Sequence, residues 1–464
     1  MARAALDRRR VSALLLILPL FAPCIRAETV ESERAVARAM LQHRPTLERC
    51  REYLETAIAV CEKHLPYRLP EKQKLVLNLF MTKEEYAAAL KNVGGEKFAG
   101  NLAFTAFNNH ESYVVLQPRS EPAFLELVGL PEMTAFLICH EAVHQFVYRA
   151  GAPNAYEWPA WYAEGMAEFL AGQCLRERAG ARAAPPMPVS AAEFRASEAL
   201  AGQRLLPLDT LLHADATKAQ DRDLFYAQCH SLYRCLAADG ARLGALHRAV
   251  QALQAPLRTE RTADARAEEF RQLCAAALTD ACGPAANLER LWHEHIRAYA
   301  PVWFEHMRAS QWVGDELVCA GFPQGNAVLI AVQPAAKEKL VVACECQIVG
   351  VEQCQAEIYL AFQRGEKLRF LKLALGSAGF IALLAYDGDW QKQLQVNTTV
   401  PPETFAKGEW APVRVMAERD RIRLDVRGKK MFETAVPPGF DVLTGRWGLG
   451  AYSEVARFRK VKAE

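Results

Sequence analysis

Residues 134–145 read Thr-Ala-Phe-Leu-Ile-Cys-His-Glu-Ala-Val-His-Gln, and within them His140, Glu141 and His144 have the spacing H-E-x-x-H. In an α-helix, residues four apart lie on one face about one turn apart, so both histidines are able to bind one zinc ion. Glu141 then lies beside the metal, where its carboxylate is placed to take a proton from a water that the zinc activates. Flanking apolar residues predict that this helix is buried: Phe136, Leu137, Ile138, Val143, Phe146 and Val147.

Residues 158–172 read WPAWYAEGMAEFLAG and predict a second helix. Pro159 suits its first turn and Gly172 suits its end. Glu164 and Glu168 are four apart and share one face, which a solvated helix surface would also explain. If they face the metal instead, Glu164 supplies a third protein ligand and leaves a position open for water, as in catalytic zinc sites. Glu168 then accepts the second ring N–H of a ligating histidine.

The two segments together resemble the gluzincin metallopeptidases, in particular their secreted bacterial type, where H-E-x-x-H is followed by a helix carrying W-x-x-E-G-x-A-E. In this chain the second motif is WYAEGMAE, residues 161–168. The resemblance implies an α+β, zincin-like and mostly helical catalytic domain. It also implies that His140, His144 and Glu164 bind one Zn²⁺ and that Glu141 is the general base.

The resemblance covers about residues 70–240. Within this range, residues 74–81 predict a strand, residues 84–91 a helix, and residues 112–117 a strand just ahead of the zinc helix. Families of this type use such an edge strand to pair with an extended substrate. No G-x-M-E-N sequence precedes the zinc helix, and aminopeptidase-N-like enzymes use that element to hold a free amine. We therefore expect a zinc-dependent peptidase of the endopeptidase kind, acting on a peptide or protein substrate.

A tetrahedral oxyanion formed during peptide hydrolysis needs a second stabilising donor. Residues 225–235 predict a later helix that backs the site, with Tyr226 and His230 at positions i and i+4. An ordinary packed helix with partly exposed polar residues is the alternative. Neither residue is assigned a catalytic role from the sequence.

Residues 1–27 have the pattern of a signal peptide, in which basic residues precede an apolar run at 11–22 and a cleavage point before Glu28. The sequence therefore predicts export to the periplasm or the exterior. Pro23 directly before Cys24 matches a lipid-attachment site poorly, so no lipoprotein is expected. No later segment has the roughly 20 continuous apolar residues of a membrane crossing.

Composition sets broad limits on the rest. A chain of 464 residues with 51% hydrophobic content is long enough for two or more domains. A net charge of +2 from 56 basic and 54 acidic residues gives no case for binding nucleic acid. The 13 cysteines, one of them in the predicted leader, permit disulfides in an exported protein, with Cys50–Cys61 and Cys274–Cys282 as candidate pairs. A propeptide between residues 28 and about 70 is left open.

The character of the sequence changes around residue 310. Ala-rich helical segments precede it, whereas short alternating runs with turn residues between them follow it: 340–349, 356–363, 368–375, 380–386, 413–417, 421–426 and 456–461. This rhythm is typical of an antiparallel sandwich. The sequence thus predicts a multidomain protein with three parts: a signal peptide at 1–27, a metallopeptidase domain at 28–310 (motif core 70–240, helical remainder 241–310), and an all-β jelly-roll sandwich at 311–464.

Residues 408–415, 422–428 and 445–452 resemble the concanavalin A-like lectin/glucanase jelly roll, with a hairpin followed by a Gly-rich return strand. Such domains often bind glycans, which implies a glycan or cell-surface ligand for this part. No E-x-D-x-x-E run supports a glycosidase. Three tryptophans are candidates either for stacking on sugar rings or for filling the sandwich core: Trp390, Trp410 and Trp447.

Two functions of different classes follow from the sequence. The first is a secreted zinc endopeptidase that its sandwich anchors to a glycan or a surface. The alternative is a catalytically inactive zincin-fold protein that acts as an adhesin or scaffold through the sandwich. The sequence favours the enzyme because all four residues of the quartet are present: His140, Glu141, His144 and Glu164.

Overall fold

The structure is a computed structural model. It describes residues 28–39, 44–106, 108–116, 127–152, 155, 158–179, 187–214, 219–252, 272, 275–280, 282–298, 303–307, 310–320, 326–331, 338–349, 354–364, 368–388, 392–406, 408–453 and 455–464. The predicted signal peptide, Cys274 and Trp390 lie outside the described residues.

A five-stranded mixed sheet opens the described chain. Its strands are β1 (Glu28–Glu31), β2 (Ala35–Ala39), β3 (Leu75–Phe80), β4 (Ala103–Ala106) and β5 (Glu111–Val115). The strand order is β1-β2-β3-β5-β4, with parallel pairs β2–β3 and β3–β5 and antiparallel pairs at both edges. The predicted edge strand at 112–117 is β5, which lies inside the sheet, so that assignment is wrong. β4 pairs with β5 in a hairpin and forms the edge of the sheet on that side.

Helices pack around this sheet and against one another. They are α1 (Arg44–His64), α2 (Lys83–Lys91), α3 (Glu132–Arg149), α4 (Ala160–Ala179), α5 (Met187–Ala201), α6 (Leu208–His213), α7 (Arg222–Ala237), α8 (Gly240–Ala252) and α9 (Ala285–Ala298). α3 lies against β4 and β5 on one side and against α1 and α4 on the other, and α4 in turn packs on α7. No helix of the described residues is long and apolar enough to cross a membrane.

Local sequence accounts for where two of the helices begin. Thr82 accepts a hydrogen bond from the Glu85 N–H, and the Glu85 carboxylate accepts one from the Thr82 N–H, which makes a capping box for α2. Asp221 caps α7 by accepting from the Leu224 N–H. Both caps satisfy backbone donors that have no partner inside the helix.

Helix α4 passes through Gly172, where the sequence predicted its end, and continues to Ala179. A Cβ at Gly172 would lie 2.7 Å from the Val189 side chain of α5. The glycine therefore permits close packing of the next helix, and the predicted stop is wrong. A single glycine inside a helix costs roughly 1 kcal/mol relative to alanine, which packing is able to offset.

The C-terminal part is a β-sandwich of two seven-stranded sheets with all neighbours antiparallel. Its strands are β6 (Trp303–Met307), β7 (Ser310–Val313), β8 (Glu316–Ala320), β9 (Asn326–Ala331), β10 (Lys339–Ile348), β11 (Gln355–Arg364), β12 (Leu368–Gly376), β13 (Phe380–Asp387), β14 (Lys392–Thr399), β15 (Ala411–Glu418), β16 (Arg421–Val426), β17 (Lys429–Ala435), β18 (Arg446–Tyr452) and β19 (Val455–Ala463). The sheet orders are β17-β16-β15-β10-β19-β8-β7 and β14-β13-β12-β11-β18-β9-β6.

The sandwich confirms the predicted change to an all-β architecture. Each predicted run coincides with an observed strand to within about two residues at either end, because alternating burial marks the strands clearly: β15, for example, alternates buried and more exposed residues along its length. The first sandwich strand, Trp303–Met307, precedes the predicted boundary at residue 310 and pairs with β9. Cys344 and Cys346 both lie in the sandwich core.

The sandwich also contacts the helical part directly. The Gln311 side chain accepts the backbone N–H of Glu132, at the start of α3, over 2.7 Å. Arg446 of β18 forms an ion pair of 3.6 Å with Glu198 of α5. Val128, which precedes α3, belongs to the sandwich core. α3, which carries the H-E-x-x-H motif, and α5 are therefore held in part by the C-terminal domain.

The segment between residues 28 and 70 is integral to the helical part. β2 pairs in parallel with β3, and α1 packs against α3 and α4. Arg34 forms an ion pair of 2.5 Å with Glu62 that ties the start of β2 to the end of α1. The possibility of a separable propeptide here is not supported, since removing the segment would expose the core that α1 covers.

All cysteines in the described part of the chain are free and buried. Cys50 and Cys61 lie on the same helix, and eleven residues correspond to about 16 Å of helix length. A disulfide needs Cα atoms within about 7 Å of each other, so the candidate pair Cys50–Cys61 does not form. These thiols serve as small apolar side chains in the core.

Candidate metal centre

Three side chains from α3 and α4 converge on one point. His140 Nε2 lies 3.2 Å from His144 Nε2 and 3.2 Å from Glu164 Oε2, and His144 Nε2 lies 3.5 Å from the same Glu164 oxygen. The two histidines meet because they are one turn apart on α3, as the sequence predicted. Glu164 joins them because α4 packs against α3 with its motif face inward.

The convergence point lies at the edge of the core. The side chains of His140 and His144 are 9% and 11% exposed, and those of Glu164 and Glu168 are 19% and 12% exposed. The alternative in which the two glutamates form a solvated helix face is therefore wrong. Carboxylates that are this buried need a partner, which is a cation, a hydrogen-bond donor or a metal.

These residues fit a zinc ion. Tetrahedral ligands that lie 2.0–2.1 Å from zinc are about 3.3 Å from one another, close to the three separations observed. Among the described residues, Glu164 Oε2 makes no hydrogen bond although the atom is buried. His140, His144 and Glu164 form the one group of this kind within the described ranges whose ligand atoms lie close enough to share a metal. The set has two nitrogens and one carboxylate oxygen, which is the composition of catalytic rather than structural zinc sites.

Glu168 lies behind the first of these ligands. Its Oε1 is 3.3 Å from His140 Nδ1, on the ring edge opposite the convergence point. Burial lowers the pKa of His140, but the neighbouring carboxylates of Glu164 and Glu168 outweigh it and hold the pKa well above its usual value. Burial raises the pKa of Glu164, but the adjacent His144 and His140 more than offset this and hold it well below its usual range. Both shifts favour the charged forms, so without a metal His140 and Glu164 form an ion pair.

Glu141 follows His140 on α3, and its carboxylate is held by a hydroxyl of the edge strand β4. Thr105 Oγ1, on β4, donates to Glu141 Oε2 over 2.7 Å. Burial raises the pKa of Glu141, while His140, His144 and the Thr105 hydrogen bond act in the opposite direction. A carboxylate that is buried and held by one hydrogen bond is suited to accept a proton.

Two phenols flank the cluster. The ring of Tyr226, on α7, lies edge-on to His140 with 6.2 Å between ring centroids. The charge of Glu164, then burial, raise the pKa of Tyr226 well above its usual value, so its hydroxyl remains a donor. Burial together with Glu164 and Glu141 also raises the pKa of Tyr148. His230, which the sequence paired with Tyr226, instead lies 3.7 Å from Glu193, away from the cluster.

Two cavities flank the cluster. The larger, about 340 Å³, borders His140, Glu141 and Glu168, and the smaller, about 160 Å³, borders His144 and Glu164. Apolar side chains of α3 and α5 form one wall of the larger cavity: Met133, Phe136, Leu137, Ala191 and Ala192. Arginines stand at its rim in pairs with other side chains: Arg195 with Asp223 at 3.1 Å, and Arg222 with Asn101 at 3.0 Å.

Several residues around the cluster were not predicted. Thr105 carries no motif, and its relation to Glu141 arises only when β4 and α3 pack together. Tyr148 was not singled out, although it lies on α3 one turn after His144. Ala191 and Ala192 read simply as helix-forming residues. Tyr226 carried a usable signal, its place on a helix predicted to back the site.

One known protein family matches the part of the chain that contains the site. Residues 134–215 match a family described as a protein of unknown function, DUF1570. That stretch contains most of α3 and all of α4, and therefore all four residues of the predicted site. No curated protein matches this chain in sequence.

Several solved structures are similar to part of the chain. A carbohydrate-binding module, CBM66, from Bacillus subtilis is 9% identical over 35% of this chain and 95% of its own, with a TM-score of 0.30. The Emp46p carbohydrate recognition domain in metal-free form is 12% identical over 35% and 87%, with a TM-score of 0.29. A protein of unknown function with a galectin-like fold from Bacillus subtilis is 12% identical over 35% and 88%, also with a TM-score of 0.29. Similarities of this size carry no functional conclusion for the sandwich.

Proposed function

We propose that this protein is a zinc-dependent peptidase, and specifically an endopeptidase. The proposal is carried by the convergence of His140, His144 and Glu164. Their ligand atoms lie about as far apart as the ligands of one zinc ion, beside the buried carboxylate of Glu141. A chance cluster of buried histidines and glutamates would have no reason to place a fourth residue, the separately held carboxylate of Glu141, next to it. Perturbed titratable groups that meet in a cleft are typical of active sites.

Each residue then has a distinct role. A zinc ion held by His140, His144 and Glu164 would polarise the scissile carbonyl and acidify the attacking water. Glu141 accepts a proton from that water as the water oxygen bonds to the carbonyl carbon. Glu141 then delivers the proton to the leaving nitrogen as the C–N bond breaks. Glu168 keeps the His140 ring oriented through its Nδ1 edge.

Tyr226 is the residue best placed to stabilise the transition state. Negative charge develops on the carbonyl oxygen as water adds, and a fixed donor aimed at that oxygen lowers the barrier. Tyr226 borders both cavities, and the nearby carboxylates keep its phenol protonated. Tyr148 also borders the smaller cavity.

The surroundings support a substrate that extends in both directions. β4 is an edge strand, so one side of its backbone is available to pair with an extended peptide. Ala103 of β4 borders both cavities, which places them along a single path. The apolar wall of the larger cavity favours a bulky apolar side chain next to the scissile bond. Arg195 and Arg222 are already paired, so the rim offers no strong selection by charge.

The test is zinc stoichiometry on the purified protein without residues 1–27, together with hydrolysis of unfolded casein by the wild type, Glu141→Gln and Glu164→Gln. We expect about one zinc per chain, activity that a chelator removes, and loss of activity in Glu141→Gln with zinc retained. Absence of bound zinc, or activity that is equal in wild type and Glu141→Gln, would overturn the proposal. The alternative of glycan or surface binding through the sandwich would then become the leading function.

A further inference from the structure

A buried chain of hydrogen bonds leads from the sheet to Glu141. It begins at Gln145 on α3, whose Oε1 accepts the Val76 N–H over 2.5 Å and whose Nε2 donates to the Val76 carbonyl over 2.9 Å. These two bonds to β3 fix which end of the amide is which, because a backbone N–H can only donate and a carbonyl can only accept. Gln145 Nε2 also lies 3.3 Å from Ser112 Oγ on β5.

The chain continues through two hydroxyls. Ser112 Oγ lies 3.2 Å from Thr105 Oγ1, and Thr105 Oγ1 lies 2.7 Å from Glu141 Oε2. The backbone carbonyl of Glu141 is a second acceptor for Thr105, at 3.0 Å. Charge-assisted bonds to carboxylates are shorter and stronger than bonds to neutral carbonyls, so the single Thr105 proton goes to Oε2.

The direction of the whole chain follows from proton counting. An ionised carboxylate only accepts and an amide NH₂ only donates, so the two ends are fixed. Thr105 donates its one hydroxyl proton to Glu141 and must therefore accept a hydrogen bond from Ser112. Ser112 donates its hydroxyl proton to Thr105 and accepts a hydrogen bond from Gln145. Every donor then points towards the carboxylate of Glu141.

This chain of hydrogen bonds from Gln145 through Ser112 and Thr105 to Glu141, the relay, is shielded from solvent. Thr105 is 4% exposed, Ser112 and Gln145 are 0% exposed, and Glu141 is 7% exposed. Without competing water, consecutive hydrogen bonds polarise one another and hold a single arrangement. The relay engages Oε2 alone, and no hydrogen bond to Glu141 Oε1 is formed within the described part of the chain.

We propose that Thr105 is a positioning residue that fixes the carboxylate of Glu141, with Ser112 and Gln145 acting through it. The inference rests on the proposed peptidase function. Holding Oε2 leaves Oε1 as the oxygen that receives the proton of the attacking water. It also ties the base to β3, β4 and β5, so its position is set by the sheet as well as by the helix that carries it. A flexible glutamate would otherwise lose rate through poor orientation.

The test compares Thr105→Val, which keeps the shape and removes the hydroxyl, with Thr105→Ser, which restores it. Thr46→Val is the matched control, because Thr46 is a fully buried threonine whose hydroxyl bonds the Gly129 carbonyl away from the site. We expect Thr105→Val to lower kcat by about 10- to 100-fold with KM and zinc content unchanged. Thr105→Ser should return kcat to within a few-fold of wild type, and Thr46→Val should leave it unchanged.

A second readout needs neither zinc nor activity. In metal-free protein, Thr105→Val should lower the Tm more in the wild-type background than in a Glu141→Ala background, because the two side chains interact directly. Equal losses in both backgrounds would overturn the hydrogen-bond assignment. An active wild type whose kcat survives Thr105→Val within twofold would overturn the positioning role alone. A wild type that is no more active than Glu141→Gln would remove the peptidase proposal and this inference with it.

Discussion

The backbone carbonyl oxygen of Cys229 lies 2.5 Å from the position that a Cβ would occupy on Gly165. The backbone of α7 therefore occupies the space that a side chain at position 165 of α4 would need. This crossing lies directly beside the predicted ligand Glu164. Tyr226 is three residues before Cys229 and so lies on the same face of α7. The close crossing brings its phenol next to the side chains of His140, His144 and Glu164.

Replacing Gly165 with alanine should destabilise the protein, because the added methyl group meets a backbone atom that is unable to rotate away. Overpacking of this kind costs about 1–3 kcal/mol. Denaturant unfolding measures the change. Gly240→Ala is the control, since Gly240 has no neighbour within 4 Å of the added Cβ and should be neutral or slightly stabilising. Equal effects of the two changes would contradict the tight crossing.

Glu164→Gln and Glu168→Gln should both weaken zinc binding, but to different degrees. Loss of the ligand Glu164 should cost more than loss of Glu168, whose removal should lower the affinity by about 10- to 100-fold by releasing the His140 ring. Competition with a chromophoric chelator measures both. Glu177→Gln is the control on the same helix, where Glu177 pairs with Lys63 at the surface, and it should not change the affinity. A larger loss in Glu168→Gln than in Glu164→Gln would speak against the assigned roles.

The stability of the metal-free protein should depend on pH through His140. Its folded-state pKa is raised by Glu164 and Glu168 despite burial. The stabilisation is therefore fully present below the unfolded value, 6.5 for a histidine, and is lost as the pH rises through the folded pKa. Unfolding free energies measured from pH 6 upward should fall in the wild type and fall less in His140→Asn. Parallel curves for the two proteins would show that His140 does not control this dependence.

Tyr226→Phe should lower kcat by about 10²- to 10³-fold, with little change in KM or zinc content, because it removes one donor to the developing oxyanion. Steady-state kinetics on a defined peptide measure this. Tyr233→Phe, on the same helix, removes a hydroxyl that bonds His247 at 2.9 Å in the core. That control should affect stability and leave kcat intact. Retention of full kcat in Tyr226→Phe would assign the donor to another group, with Tyr148 the next to test.

Ala191→Phe should narrow the larger cavity, since Ala191 is partly exposed and borders it. Peptides with a bulky apolar residue beside the scissile bond should lose at least about tenfold in kcat/KM, while peptides with alanine there should lose less. Mass spectrometry of products from a peptide mixture records the shift. Zinc content and Tm serve as the controls for a general disturbance. An unchanged cleavage pattern would mean that the substrate side chain lies elsewhere.

Much of the architecture was predictable because it is local. H-E-x-x-H places His140 and His144 one turn apart in any helix, and the apolar residues around them require that helix to be buried. The C-terminal strands follow from alternation with period two and from turn residues between the runs. Errors arose where a residue had a tertiary role, as at Gly172, which permits the approach of Val189 and does not end its helix.

The sequence by itself determined the elements and the chemistry that the two motif helices are able to carry. Only the tertiary structure decided which strand is the edge, since strand order depends on the β4–β5 hairpin, and which phenol faces the cluster, since that depends on the crossing of α4 and α7. It also decided that Thr105 holds Glu141. These relationships join residues far apart in the chain, and the distance between such residues is set by packing, which no local pattern encodes.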